Sequence, residues 1–153
     1  MNHKFILTRE LGRLAKWLRI IGYDTFYYQA GNPSTLIISA LRQERIILTR
    51  NTRIGSHPGL KIIRINSDFV KEQLGQVLKD LNISPDKNLM FSRCIICNEE
   101  LIKAQKNSIM DKVPEFVYKT NADFVSCPRC KRIYWRGTHW GNVKEIIAKL
   151  SNC

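Results

Sequence analysis

The sequence predicts an α/β domain with a mostly parallel sheet flanked by helices, followed by a small module held together by cysteines. Strand-like and helix-like segments alternate through the first half of the chain, which is typical of βαβ units. After residue 84 the composition changes to cysteines, short apolar runs and turn residues. We therefore expect an α/β domain over residues 1–84 and a second domain over residues 85–153.

Four apolar runs of strand length and three helical patterns account for the first domain. The strands are predicted at residues 5–7, 25–28, 45–49 and 61–65. The helices are predicted at residues 10–21, 33–43 and 69–81. Gly22 is placed to end the first helix, and Pro33 with Ser34 to begin the second. Crossovers of this kind between parallel strands are right-handed.

Four cysteines in the second half form two Cys-x-x-Cys pairs, Cys94 with Cys97 and Cys127 with Cys130. Such pairs are typical of tetrahedral zinc sites in which each tight turn supplies two thiolates. The 29 intervening residues exceed the usual spacing, so we expect extra structure between the pairs. Two disulfides, or four unconnected core cysteines, are the alternatives. Since four thiolates leave no open position, we interpret the second domain as a structural zinc ribbon with a short helix over residues 142–150.

Positive charge dominates the sequence and is concentrated in two blocks. The net charge is +12, with +8 over residues 1–64, −1 over residues 65–90 and +5 over residues 91–153. An excess of this kind favours a polyanionic partner, because each phosphate contact releases condensed counterions. A basic surface that serves only solubility is the alternative.

The expected location is the cytoplasm, with no contact to a membrane. The longest apolar runs have the length of strands and are far too short to cross a bilayer. No signal-peptide pattern opens the chain. Cysteines paired as zinc ligands fit a reducing compartment. The fifth cysteine, Cys153, is expected to be an exposed spectator.

Several motifs carry a resemblance to a known family. In the first half they are LGRLAKWLR at residues 11–19, GYDT at 22–25 and RIILTR at 45–50. In the second half they are the two cysteine pairs and YWRGTHW at residues 134–140. With these motifs, in this order, the chain resembles the Mut-seven C-terminal ribonuclease-domain family. That resemblance covers nearly the whole chain and implies a PIN-like nuclease fold joined to a zinc ribbon.

The resemblance implies a metal-dependent endoribonuclease, yet the residues at the expected catalytic positions are not acids. PIN-type nucleases gather three or four carboxylates at the carboxyl ends of parallel strands, where they bind Mg²⁺ or Mn²⁺. The family pattern places aspartates where this chain has Thr8, Ser34 and Asn51. Glu10 and Asp68 are the possible replacements, and we expect them to be too few for a two-metal site.

Basic and aromatic side chains are the candidate RNA contacts. The mixture of cations and rings in the ribbon is the one used for single-stranded or looped RNA. The candidates are Arg9, Arg13, Lys16, Arg50, Arg53, Lys131, Arg132, Tyr134, Trp135, Arg136, His139 and Trp140. As alternatives, the arginines form solvated faces, and the aromatic residues and His139 pack inside the ribbon.

The leading hypothesis is a zinc-stabilised RNA-binding protein, built on a PIN-like fold with an inactive nuclease site, whose target is ribosomal or other structured RNA. One alternative is an active ribonuclease that uses Glu10 or Asp68, and only then is Mg²⁺ or Mn²⁺ a cofactor. The other alternative is a protein-interaction module with incidental positive charge.

Overall fold

A four-stranded, wholly parallel sheet is the centre of the fold in this computed structural model, which describes residues 3–135, 143 and 145–149. The strand order is β2-β1-β3-β4. The strands are β1 (Lys4–Leu7), β2 (Asp24–Tyr27), β3 (Ile46–Thr49) and β4 (Ile62–Arg64). In register, Phe5 lies between Thr25 and Ile46. Each bound lies within one residue of the prediction.

Two helices connect strands of this sheet, and a third follows β4. They are α1 (Gly12–Ile20), preceded by a 3₁₀ turn (Arg9–Leu11), α2 (Pro33–Gln43) and α3 (Val70–Asp80). The Asn32 side chain caps α2 by accepting from the Ser34 backbone N–H at 3.0 Å. The predicted fold class, a parallel sheet flanked by helices, is confirmed.

Helices cover both faces of the sheet because successive strand residues point to opposite sides. Phe5 and Leu7 pack in one buried cluster with residues of α1 and α3. Ile6 and Ile47 pack in another with Leu36 of α2. The sheet is therefore the middle layer of a three-layer sandwich.

An antiparallel sheet in the order β5-β6-β7 forms the second half, called the ribbon here. Its strands are β5 (Ile102–Ala104), β6 (Phe124–Ser126) and β7 (Ile133–Trp135). A 3₁₀ turn (Lys106–Ile109) and α4 (Glu115–Thr120) lie between β5 and β6. They provide the extra structure that the long spacing between the cysteine pairs predicts.

Residues from beyond position 84 complete the core of the α/β half. Met90, Val143 and Ile147 belong to the buried cluster that contains Phe5, and each is at most 9% exposed. The predicted C-terminal helix is present at residue 143 and over residues 145–149. The domain boundary near residue 84 stays a prediction. Within the described ranges, no helix has the length and apolar composition needed to cross a membrane.

Candidate metal centre and sheet-edge crevice

Each Cys-x-x-Cys pair lies in a tight turn, and the two turns have the same geometry. In the first, the Cys94 backbone N–H donates to the Glu99 carbonyl at 2.9 Å, and the Asn98 N–H donates to the Cys94 carbonyl at 3.0 Å. The Cys97 N–H points at the Cys94 sulfur, 3.4 Å away. The second turn, beginning at Cys127, repeats all three bonds at the same distances, 2.9, 3.0 and 3.4 Å. Two separate segments thus present their sulfurs in one geometry.

A left-handed residue follows the second cysteine of each turn. Asn98 and Lys131 both have φ = 66°. Asparagine adopts this conformation more readily than lysine does. In the second turn, Lys131 Nζ donates to the Pro128 carbonyl at 2.8 Å. The backbone bonds of the second turn therefore hold Lys131 in a conformation that it would otherwise avoid.

The four cysteine sulfurs have the spacing of a tetrahedral metal site. All four Sγ atoms lie within 4.8 Å of one another, and those of Cys94 and Cys130 are 3.6 Å apart. Zinc bound to four thiolates at about 2.3 Å sets neighbouring sulfurs about 3.8 Å apart. The donor set fits a thiophilic divalent ion. Elsewhere in the described part of the chain, no three His, Cys, Asp or Glu residues are grouped closely enough to share a metal ion.

The electrostatics of the cluster favour a bound cation. Burial raises the pKa of Cys94, but hydrogen bonds from the Tyr134 hydroxyl and from backbone N–H groups outweigh burial and lower it to about 7. The Tyr134 oxygen lies 3.1 Å from the Cys94 sulfur. Burial and the neighbouring thiols raise the pKa of Cys97 to about 12. The Cys94 thiolate therefore forms readily and the Cys97 thiolate does not, so a bound cation would favour ionisation of this pair.

Arg19 joins the first cysteine turn to the α/β half. Its side chain is buried, with 8% exposed, and lies in the last turn of α1. Nη1 donates to the carbonyl oxygens of Ile95 at 2.7 Å and Ile96 at 3.1 Å. Nε donates to the Thr25 carbonyl at 3.0 Å. One guanidinium therefore satisfies carbonyls of both halves.

Asn98 forms a second connection between the halves. Its side-chain oxygen accepts from the Thr25 backbone N–H at 2.9 Å, and its Nδ2 donates to the Asp24 carboxylate at 2.7 Å. Arg45 pairs with the same carboxylate at 2.8 Å. Because Asp24 and Thr25 begin β2, the cysteine turn is seated at the amino end of the parallel sheet.

A crevice lies at the opposite, carboxyl end of the strands. Thr8 follows β1 and its hydroxyl donates to Glu10 Oε1 at 2.6 Å, while the Arg50 backbone N–H donates to the same oxygen at 2.9 Å. The Thr8 and Thr49 hydroxyls are 2.9 Å apart. Burial raises the pKa of Glu10, but these hydrogen bonds outweigh it and hold the pKa below its usual value. Glu10 is therefore ionised at neutral pH.

The crevice has a volume of about 190 Å³ and small polar walls. Thr8, Glu10, Asn32 and Asn51 line it together, and Glu10 is the single carboxylate among the described lining residues. Ser34 is exposed and gives its backbone N–H to the Asn32 cap. Of the three positions where the family pattern implies aspartates, Thr8 and Asn51 therefore line the crevice. Asn32, which was not predicted, lines it as well.

Asp68 is engaged by a cation. Its carboxylate pairs with the Arg50 guanidinium, which also donates to the Ser67 carbonyl at 3.0 Å. The pair bridges the ends of β3 and the loop before α3. Arg50, a predicted RNA contact, is therefore already bound to an acid.

Comparison with known proteins yields one match. The family model described as Mut7-C RNAse domain matches residues 3–147. This chain belongs to the Mut7-C RNAse domain family. No curated protein and no solved structure matches it. The match runs through both the α/β half and the ribbon, which confirms the resemblance seen in the motifs.

The predicted RNA contacts of this Mut7-C chain lie in several different settings. Six of them are exposed: Arg9, Arg13, Lys16, Arg53, Lys131 and Arg132. Tyr134 and Trp135 are half-buried, the first beside Cys94 and the second beside Phe124 at 6.4 Å between ring centroids. Three further candidates, Arg136, His139 and Trp140, lie outside the described residues.

Sequence reasoning missed three residues that shape the sites of this Mut7-C chain. Arg19 and Asn98 join the two halves, and Asn32 lines the crevice. The Asn-Pro-Ser turn at residues 32–34 carries a helix-capping signal that identifies Asn32 as a cap. Arg19 lies in an amphipathic pattern as one cation among several, and no local signal marks it.

Proposed function

We propose that this protein binds structured RNA, ribosomal RNA among the targets, and that its sheet-edge crevice does not cleave RNA. The observation that carries the proposal is the isolation of Glu10 among Thr8, Asn32 and Asn51 in the crevice. A small polar cleft with one acid repels phosphate much less than a nuclease site with three or four. The family match supports RNA as the ligand.

Cations along α1 support the binding part of the proposal. Arg9, Arg13 and Lys16 are exposed, and no ion pair or side-chain hydrogen bond engages them within the described ranges. Residues spaced by three or four lie on one side of a helix. Their stripe starts at the crevice, where Arg9 lines the wall, and runs along α1 towards the ribbon end. Free cations in a row suit successive phosphates of an RNA backbone.

The crevice has too little negative charge to hold a catalytic metal ion. Cleavage of a phosphodiester by a metal-dependent nuclease needs a metal-activated water and compensation of the charge on the leaving oxygen. Mg²⁺ is held by carboxylates, whereas hydroxyl and amide oxygens bind it weakly. Glu10 supplies one negative charge, and Asp68 is paired with Arg50. The residues at the crevice therefore fit Mg²⁺ or Mn²⁺ poorly.

Zinc is the metal that we assign to the four cysteines, as part of the same proposal. Cys94, Cys97, Cys127 and Cys130 would hold it with no position left for a substrate. The zinc ion supplies folding energy rather than catalysis. Elemental analysis of the purified protein should give one zinc per chain. Disulfides among these cysteines, or a chain without zinc, would contradict the assignment. Reduced cysteines also suit the cytoplasm, where we place the protein.

The test combines binding and cleavage. The unmodified protein should bind structured RNA with a steep salt dependence and leave it intact in the presence of Mg²⁺ or Mn²⁺. The triple variant Thr8→Asp, Ser34→Asp, Asn51→Asp restores the acids that the family pattern implies and should gain metal-dependent cleavage. The matched control, Thr8→Ser, Ser34→Asn, Asn51→Ser, changes the same three positions to uncharged residues and should stay inactive.

A second candidate is an active ribonuclease, favoured by the ionised state of Glu10 in the crevice. Glu10→Gln separates the two. Metal-dependent cleavage by the unmodified protein that disappears in Glu10→Gln would establish the nuclease and overturn the proposal. Absence of any RNA binding would overturn both and leave a protein-interaction module.

A further inference from the structure

A groove of about 650 Å³ on the ribbon is separate from the crevice and larger than it. Ile96 forms part of it from the first cysteine turn, Lys131 and Arg132 from the second, and Trp135 from β7. Lys112, from the segment between the two cysteine turns, also lines the groove. We call these five residues and the space between them the ribbon groove.

The walls of the ribbon groove are held in place without a ligand. Arg19 fixes the backbone of the first cysteine turn through the Ile95 and Ile96 carbonyls. Trp135 packs against Phe124, which is 2% exposed. A preformed site loses little conformational entropy when a ligand enters, so modest contacts suffice for binding.

The chemistry of the ribbon groove combines positive charge with apolar surface. Lys112, Lys131 and Arg132 are exposed, and none pairs with a carboxylate in the described part of the chain. Ile96 is 49% exposed and contributes apolar surface. Trp135 adds half-exposed ring surface. The lining includes no acid.

We infer that the ribbon groove binds an unpaired nucleotide of RNA, with the base against Ile96 and Trp135 and the flanking phosphates on Lys112, Lys131 and Arg132. The inference rests on the proposed RNA binding and adds the feature of the RNA that is recognised. Bases of a duplex are stacked inside the helix, whereas loops and bulges offer a base face that apolar and aromatic side chains can cover. Three cations without acids match the phosphates on either side.

Tyr134 has a different role from the one expected from the sequence motif. Its hydroxyl is 3.1 Å from the Cys94 sulfur, so it supports the metal centre while its ring lines the groove. Lys112 and Ile96, in contrast, join the RNA contacts although neither is among the contacts expected from the sequence. The RNA contacts inferred from the groove therefore differ from those inferred from the sequence motif alone.

The experiment compares a short labelled single-stranded RNA with the same strand annealed to its complement, by fluorescence anisotropy over a range of salt. The unmodified protein should bind the single strand more tightly. Lys112→Glu should weaken that binding at least about threefold and lower the slope of log K against log salt by about 0.7, the share of one single-strand phosphate. Ile96→Asn should reduce the preference for the single strand over the duplex.

Lys103→Glu is the matched control. Lys103 is exposed on β5, has no side-chain hydrogen bond or ion pair among the described residues and does not line the groove. It should leave the salt slope unchanged. Zinc content and circular dichroism must match the unmodified protein, and Lys112→Gln replaces Lys112→Glu if the charge reversal impairs folding.

The other possible results would each contradict RNA binding at the ribbon groove. Equal effects of Lys103→Glu and Lys112→Glu, with binding still weakened by Arg13→Glu on α1, would remove the ribbon groove and leave the proposed function standing. Equal binding of single strand and duplex would also overturn the inference. No RNA binding by the unmodified protein would overturn the proposed function itself. Displacement of bound RNA by an acidic peptide at lower concentration would identify the groove as a protein site instead.

Discussion

The guanidinium of Arg19 donates to the carbonyl oxygen of Ile95 across 2.7 Å, although 76 positions separate the two residues in the chain. The contact links the last turn of α1 to the turn between Cys94 and Cys97. A buried cation normally pairs with a carboxylate, and here its direct partners are backbone carbonyls. The stability of the α/β half therefore depends on the cysteine turn.

Arg19→Met should lower the free energy of unfolding by roughly 2–4 kcal/mol, because it leaves buried carbonyl oxygens without donors. Urea titration followed by circular dichroism measures the change. The control is Arg42→Met, on the exposed side of α2 with no partner in the described residues, which should shift stability by less than about 0.5 kcal/mol. A loss for Arg19→Met no greater than that of the control would contradict the prediction.

Metal removal should destabilise the α/β half as well as the ribbon. A metal ion bound by the four cysteines would hold the turn that supplies Ile95, Ile96 and Asn98 to the other half. Hydrogen exchange at the amides of β1 and β3 should accelerate on chelation and in Cys127→Ser. The acceleration should be smaller in Arg19→Met, where one connection is already lost. Unchanged exchange in β1 and β3 after chelation would mean that the halves are independent.

Gly22→Ala should destabilise the protein by roughly 3 kcal/mol. Gly22 has φ = +98°, and a Cβ there would lie 2.3 Å from the Leu89 carbonyl oxygen. Two controls separate the causes. Gly31, at φ = +74° in open space, should cost about 1 kcal/mol as alanine, from backbone strain alone. Gly55, also in open space, should be nearly neutral. Thermal denaturation of the three variants gives the order directly.

Asp24 should contribute stability that depends on pH. Burial raises its pKa, but hydrogen bonds from Arg45 and Asn98 outweigh burial and lower it. Because the folded pKa lies below the unfolded one, the contribution is complete at neutral pH and is lost as the pH falls below about 4. Asp24→Asn should therefore cost about 2 kcal/mol at pH 7, and its difference from the unmodified protein should shrink in acid.

The control for Asp24 is Glu100→Gln. That carboxylate is 81% exposed and 3.5 Å from Arg93, so its loss should cost less than about 0.5 kcal/mol at pH 7. Denaturant titrations of the three proteins across the acidic range provide the comparison. A difference between Asp24→Asn and the unmodified protein that stays constant with pH would show that the carboxylate charge is unimportant.

The sheet and helices of the α/β half were predictable because their signals are local. Apolar runs, helical spacing and the Gly22 and Pro33 punctuation predicted the bounds of strands and helices to within one or two residues. The cysteine cluster was predictable for the same reason, since each Cys-x-x-Cys pair is a single turn.

Contacts between distant segments were not predictable in this way. Asp24 follows a Gly-Tyr turn in the sequence, yet its side-chain partners are Arg45, 21 positions away, and Asn98, 74 positions away. The composition of residues 10–21 shows that Arg19 is basic, but gives no sign that it is buried. Such pairings depend on how two distant segments pack against each other. The periodicity of either segment alone does not predict that packing.

The position of Val143 and Ile147 in the core of the sheet has a consequence for synthesis on the ribosome. The strands from Lys4 to Arg64 emerge first and can pair early, but the apolar face that these two residues cover stays open until the chain has reached position 147. Until then, a nascent chain of this protein exposes to solvent the apolar surface that Val143 and Ile147 later cover. Chaperones should therefore bind the nascent chain mainly before the helix that contains Val143 and Ile147 packs against the sheet.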